Sequence, residues 1–423
     1  MPPASPPRLL RISFAQADVE RMMTLVENTM LPEEPPFPEA SSTWTSGMNL
    51  PWLKTVREQW LREFSVDEFE RKLNLWPHYM ALFDDENVDL HFVHAKSSKP
   101  DAIPLLLLHG WPGSSHDFHK VVEPLTNPSN PTAPSFHVVV PSIPGYAFST
   151  WPHRPSFTIV DISNLYHRLM AETLGYNNYA VQGGDWGSLI ARIMVSSPKI
   201  APHVRIAHLN IYSVVPTSAQ VIQALQALVP SFLSCIPGYT TLVNLLSSTL
   251  NSLLFTPAEQ RGIASAVAYG RTGNGYFHLQ STKPLTIGYA LVDSPVGLLA
   301  YMGDKFYDWS DPAHLDTRDL IETVALYYLT RSFHTSVLAY QLSHEVAMSL
   351  VFQPGQWTAA AGTAIGYSSY PYEIGIAPRM LVRGMGRVVM YKEHSYGGHF
   401  AALDNPTAFV KDLRELAAGH WAQ

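Results

Sequence analysis

Five residues, Gly183-Gly184-Asp185-Trp186-Gly187, set one carboxylate among small neighbours. A short apolar run, Tyr179 to Gln182, precedes them, and an apolar stretch with helical spacing (Leu189, Ile190, Ile193, Met194) follows. Small-x-nucleophile-x-small between a strand and a helix is the pattern of a nucleophile elbow, where glycines permit a strained turn that exposes the central side chain. A carboxylate is anionic near neutral pH and needs no base to activate it. It suits attack at a saturated carbon bearing a leaving group, such as an epoxide or an alkyl halide. The plainer reading is a Gly-rich turn with Asp185 capping the next helix.

Such an elbow works with an acid and a histidine, in the chain order nucleophile, acid, histidine. His399 lies in Tyr396-Gly397-Gly398-His399-Phe400, a glycine-bearing loop that can swing an imidazole toward the elbow; His394 is its neighbouring competitor. No Asp occurs between Asp319 and Asp404, and Glu345, Glu373 and Glu393 are the candidate acids. Glu345 falls in a predicted helix and Glu393 sits close to the histidine loop. Glu373, placed just ahead of the strand candidate Arg379 to Arg383, is favoured. The alternative acid position, after the strand ending near Tyr212, offers only the uncharged Asn210. An oxyanion needs one N–H from the residue after the nucleophile and one from an earlier loop. Trp186 supplies the first. Trp111 supplies the second, from His109-Gly110-Trp111-Pro112-Gly113-Ser114, directly after an apolar strand. His109, His116 and His119 lack an accompanying ligand pattern, so no metal and no cofactor is expected.

The elements that must position these groups follow from apolar periodicity. Residues 1 to 8 read as a Pro-rich tail, and helices are expected over Ala15–Met30, Leu53–Phe64 and Val66–Leu75. Short apolar strands (Val88–His94, Pro104–Leu108, Phe136–Val140, Tyr179–Gln182, Val204–Tyr212) then alternate with helical stretches (Asp117–Leu125, Val160–Leu174, Trp186–Ser196), the signature of a mostly parallel sheet covered on both faces. A mainly helical block interrupts the alternation, read as a lid. The alternation resumes with strand candidates Arg379–Arg383 and Arg387–Tyr391 and a last helix, Asn405–Ala418. The expected division is therefore 1–86 as an N-terminal meander, 87–212 as the first part of the core, 213–345 as the lid, and 346–423 as the rest of the core.

At 423 residues, 46% hydrophobic and 15% charged, the chain can bury a large core. A net charge of −7 without a long basic run argues against nucleic-acid binding. The single cysteine, Cys235, forms no internal disulfide. No signal-length apolar start and no spanning apolar run occur, so a soluble, cytoplasmic protein is expected. Ile206 to Ala258 contains no Lys, Arg, Asp or Glu. That stretch reads first as the wall of an apolar pocket. A peripheral membrane contact or a homodimer contact is the sharper alternative.

Together, HGWPGS, GGDWGS and GGHFAALDNP resemble the epoxide hydrolases of the α/β-hydrolase fold, specifically the microsomal type with its soluble fungal members. The resemblance covers most of the chain. It includes the N-terminal meander (Trp60-Leu61 through Trp76-Pro77-His78) and a lid motif from Thr282-Lys283-Pro284 through Asp293-Ser294-Pro295-Val296-Gly297-Leu298. It implies Asp185 as nucleophile, His399 as base and Glu373 as its charge partner. It also implies two lid tyrosines that polarise the epoxide oxygen, which by motif fall on Tyr276 and Tyr340. A lipophilic epoxide and water are the implied partners. The membrane-bound relatives carry an anchor helix ahead of the meander, and this sequence shows none. Two rival functions remain: a haloalkane or haloacid dehalogenase with the same nucleophile, and a catalytically silent ligand-binding member of the fold.

Overall fold

A nine-stranded mixed sheet carries the molecule. The computed structural model describes residues 6–37, 39, 43–214 and 255–422. In chain order the strands are β1 (Arg8–Leu10), β2 (His78–Phe83), β3 (Val88–Ala95), β4 (Ile103–Leu108), β5 (Phe136–Pro141), β6 (Tyr179–Gly183), β7 (Val204–Leu209), β8 (Ala364–Ser369) and β9 (Val388–Glu393). They lie side by side as β1-β2-β3-β5-β4-β6-β7-β8-β9. The first three joints, through β3–β5, are antiparallel, and β5 onward is parallel. β4 to β7 are mostly apolar and almost wholly buried because parallel strands are covered on both faces.

Each sheet face buries its own cluster. One holds Leu106, Leu108, Val181 and Leu209 with the helix Asp185–Ser196 and the N-terminal helices. The other holds Leu105, Leu107, Val138 and Ala180 under Phe409, Leu413 and Leu416 of the last helix, Pro406–His420. The N-terminal helices are Gln16–Asn28, Leu50–Glu63 and Val66–Leu73. Ser65 caps the third by accepting from the Glu68 N–H.

Several expectations are corrected. The N-terminal segment is not only helical, since it adds β1 and β2 to the sheet. Arg379–Arg383 is not a strand: Arg379–Val382 is a short helix, continued by a single turn. Pro378 sits at its N-terminal cap, where a missing N–H costs nothing. The strand at that point of the sheet is β8, Ala-Ile-Gly-Tyr-Ser-Ser, which the apolar pattern did not mark. Asp117–Leu125 divides into the turn Ser115–Phe118 and the helix Val122–Thr126. The helices inserted between β7 and β8 run through His344–Phe352, so the boundary at 345 falls inside a helix.

The described part of that insertion begins at residue 255, and most of the uncharged stretch from Ile206, with Cys235, lies outside the described residues. Among the described residues no helix is long and apolar enough to cross a membrane.

A buried ionic group ties the insertion to the rest. Glu322, on the helix Thr317–Leu329, meets Lys72 of the third N-terminal helix at 2.6 Å and His116 of the core at 2.8 Å. Asp319, one turn earlier, meets Lys120 at 2.6 Å. From the same helix the Tyr327 hydroxyl donates to the Gly113 carbonyl at 2.7 Å. Burial would raise the Glu322 carboxyl, but the His116 and Lys72 contacts outweigh it and hold its pKa at about 2. A depressed carboxylate pKa contributes stability that is present above the ordinary value of 4.5 and lost as pH falls through about 2. Glu322→Gln is therefore expected to lower stability by about 1–2 kcal/mol at neutral pH. The gap to the parent should close between those two pH values, as read from denaturant unfolding.

Candidate active site

The parallel strands all end on one edge, and the chemistry-bearing residues sit on the turns just beyond it. Leu108 pairs with Gly183 and Gly183 with Leu209, which fixes the loop after β4, the elbow after β6 and Asn210 side by side. Asp185 opens the elbow helix at φ +47°. A non-glycine residue is held there only when its surroundings over-determine it. Close packing provides that constraint: a Cβ on Gly187 would lie 2.2 Å from the Leu108 carbonyl oxygen. The Asp185 carboxylate does not cap its own helix. Its Oδ1 instead accepts the Trp111 backbone N–H at 2.8 Å.

The structure brings Asp185, Glu373 and His399 together. His399 Nδ1 lies 2.6 Å from Glu373 Oε1, and its Nε2 lies 3.5 Å from Asp185 Oδ2. Glu373 is fully buried and follows β8, not the strand assigned to it from the sequence. The histidine loop is held in turn by its backbone: His399 N–H donates to the Trp309 carbonyl at 2.8 Å. Burial pulls the imidazolium down. The Glu373 charge and the bonds to Asp185 and Glu373 more than offset this and hold the ring pKa at about 10. The two flanking carboxyl groups thus favour the imidazolium form of His399.

Tyr276, on the helix Gly275–Thr282, and Tyr340, on Leu338–Leu342, reach the same place from the insertion. Their ring centroids are 5.9 Å apart. Trp111 stacks on Tyr276 at 5.2 Å, and Trp186 meets Tyr340 edge-on at 4.8 Å. Burial pushes both phenols well above their ordinary pKa, so both keep their protons. Trp186 N–H lies in the first helical turn, where it has no helical acceptor.

The other candidates lie elsewhere. His394 bonds Asp412 at 2.6 Å, Glu393 accepts from Thr256, and Glu345 stays in its helix. His109 is engaged by Gly110 O and the Ile143 N–H, and His116 by Glu322. Among the described residues no group of three or more His, Cys, Asp or Glu is placed to hold a metal. Two nearby residues were not singled out from the sequence. Trp309 packs edge-on to His399 at 5.0 Å. The Tyr269 hydroxyl bonds that of Tyr276 at 3.0 Å. Neither carries a motif, and only the folded geometry selects them from many aromatic residues.

Residues 7–118 match a family described as the epoxide hydrolase N terminus, and residues 103–234 match the alpha/beta hydrolase fold. A putative epoxide hydrolase of Stigmatella aurantiaca is 32% identical over 96% of this chain and 83% of its own length. The chain belongs to the epoxide hydrolases. Epoxide hydrolase 1 of Sus scrofa is 30% identical over 90% of this chain and 82% of its own. The Aspergillus niger epoxide hydrolase structure superposes with a TM-score of 0.81 at 30% identity, covering 99% of this chain and 98% of that one. These likenesses support the α/β-hydrolase fold read from the sequence and do not favour the dehalogenase alternative.

One contact of this epoxide hydrolase is directly testable. A Cβ on Gly110 would lie 2.2 Å from Asp185 Oδ1. Gly110→Ala is expected to displace the carboxylate and lower epoxide turnover by about 100-fold or more, with far-UV circular dichroism unchanged.

Proposed function

We propose that this epoxide hydrolase opens a lipophilic epoxide through a covalent ester on Asp185. The observation that carries the reading is the placement of His399, buried between Glu373 Oε1 and Asp185 Oδ2. Oδ1 is tied to the Trp111 N–H, which leaves Oδ2 to attack an epoxide carbon in line with the breaking C–O bond. Tyr276 and Tyr340 hydrogen-bond the epoxide oxygen, and one of them gives its proton as that oxygen becomes an alkoxide. The aromatic surround of these phenols, Trp111, Trp186, Trp309 and Phe277, suits an apolar substrate.

Ester formation then changes the electrostatics. Alkylation removes the charge of Asp185, one of the two anions that hold the imidazolium. The pKa of His399 falls, and the ring releases a proton that restores the tyrosine. Neutral His399, still oriented by Glu373, takes a proton from water. The water oxygen attacks the ester carbon, with the oxyanion on Oδ1 held by Trp111 N–H and Trp186 N–H. Collapse breaks the acyl C–O bond, the departing alkoxide takes the proton held by His399 to give a vicinal diol, and the Asp185 carboxylic proton returns to His399.

Tyr276→Phe and Tyr340→Phe are each expected to slow the alkylation step by about 100-fold, measured by stopped-flow tryptophan fluorescence with styrene oxide. His399→Gln should form the ester and fail to hydrolyse it, so intact-protein mass spectrometry shows a stoichiometric adduct of substrate mass. An unmodified His399→Gln protein after incubation with a substrate the parent converts would contradict the covalent route.

A further inference from the structure

A cavity of about 40 Å³ lies against the elbow, lined by Asp185 and His399 but by neither of the two tyrosines. Its polar lining is Asp117, Gln182, Asp185, Asn210 and His399. Its floor is core, including Phe118, Ala402 and Phe409 under the sheet edge. One water needs about 10–15 Å³ of such space and two to four polar partners, so this cavity is polar enough and has room for about two.

A second observation points to an occupant. Gln182 is 1% exposed, and its Oε1 has no hydrogen-bond partner. The other end of the same amide is fixed, since Nε2 donates to Asn210 Oδ1 at 2.9 Å. The amide is therefore held with its acceptor free. A buried acceptor left without a donor is costly, and native structures satisfy such groups with ordered water. Asp117, on the same wall, is half-buried. Its Oδ1 accepts the Ser114 N–H at 3.1 Å. Burial pushes its pKa up to about 7, which makes a proton donor available on the cavity wall near neutral pH.

We propose that this cavity is the site of the water that hydrolyses the ester, with Gln182 and Asp117 as positioning residues for it. The inference rests on the covalent route above. The substrate lies against the tyrosines, so water stored in a cavity that neither of them lines reaches the ester carbon and His399 Nε2 without the alcohol product leaving first. In the step itself, water gives one proton to Nε2 as its oxygen bonds the ester carbon. The acyl C–O bond then breaks, and the departing alkoxide takes up that proton. Gln182 Oε1 accepts from the second O–H of the same water and orients its lone pair.

Two variants test this by different means. Gln182→Met removes the acceptor at similar length, and Ala402→Val fills the cavity with apolar bulk. Stopped-flow fluorescence of Trp111 and Trp186 with styrene oxide separates alkylation from hydrolysis, and quenched-flow mass spectrometry counts the ester. Both variants are expected to hydrolyse the ester about tenfold more slowly, with alkylation within about twofold of the parent, so ester accumulates. Equal losses in both steps, or an unchanged hydrolysis rate in both variants, would overturn the water site. The His399→Gln adduct separates the two claims. If it forms while hydrolysis in the two variants is unchanged, only the water site fails; if it does not form, the covalent route fails and the water site with it.

Discussion

Burying an imidazolium between two carboxylates constrains everything around it. Each ion loses several kcal/mol of hydration on burial, and only close, well-aligned partners restore it. Glu373 Oε1 at 2.6 Å and Asp185 Oδ2 at 3.5 Å supply the opposing charge for His399. In the proposed cycle the arrangement is also self-adjusting. While Asp185 is charged, the histidine holds its proton. Once Asp185 is esterified, half of the stabilising charge is gone and the same histidine becomes a base. No movement of the scaffold is needed for that change, only the loss of one neighbouring charge.

Holding three such groups requires backbone that scarcely yields. The parallel register sets the β4 and β6 termini side by side, and the elbow packs against the Leu108 carbonyl with no room for a side chain at Gly187. The histidine loop is fastened to the Trp309 carbonyl and the loop after β4 to the Tyr327 hydroxyl. Both fastenings come from the inserted helices that also carry Tyr276 and Tyr340. The insertion therefore does more than cover the site. Lys72, His116, Glu322, Lys120 and Asp319 join it to the N-terminal helices and to the core, so the two phenols are held in position relative to Asp185.

The residues most legible in the sequence are those whose function demands glycine or a fixed loop. Asp185 and His399 are framed by glycines, and Trp111 follows an apolar strand, so their context marks them without the fold. Glu373 is chosen among carboxylates by elimination, and its supporting strand was misplaced. β8 escapes the apolar pattern because it is built to be thin and polar on one side. Gly366 lies where Leu416 and Met390 close in, and Ser368 bonds both His208 and Asp412. Arg379–Val382 has strand-like composition but follows a proline that starts a helical turn. Tyr269, Trp309 and Gln182 lie beyond sequence reasoning because each matters through one contact made across the fold.

The ester on Asp185 is the central claim, and the source of the product oxygen tests it most directly. A single turnover is run with enzyme in excess of styrene oxide in water enriched in oxygen-18. The account predicts a first diol free of the label and one heavy oxygen in the tryptic peptide that contains Asp185. Label in the first diol, with an unlabelled Asp185 peptide, would mean that water opens the epoxide directly and would contradict the account.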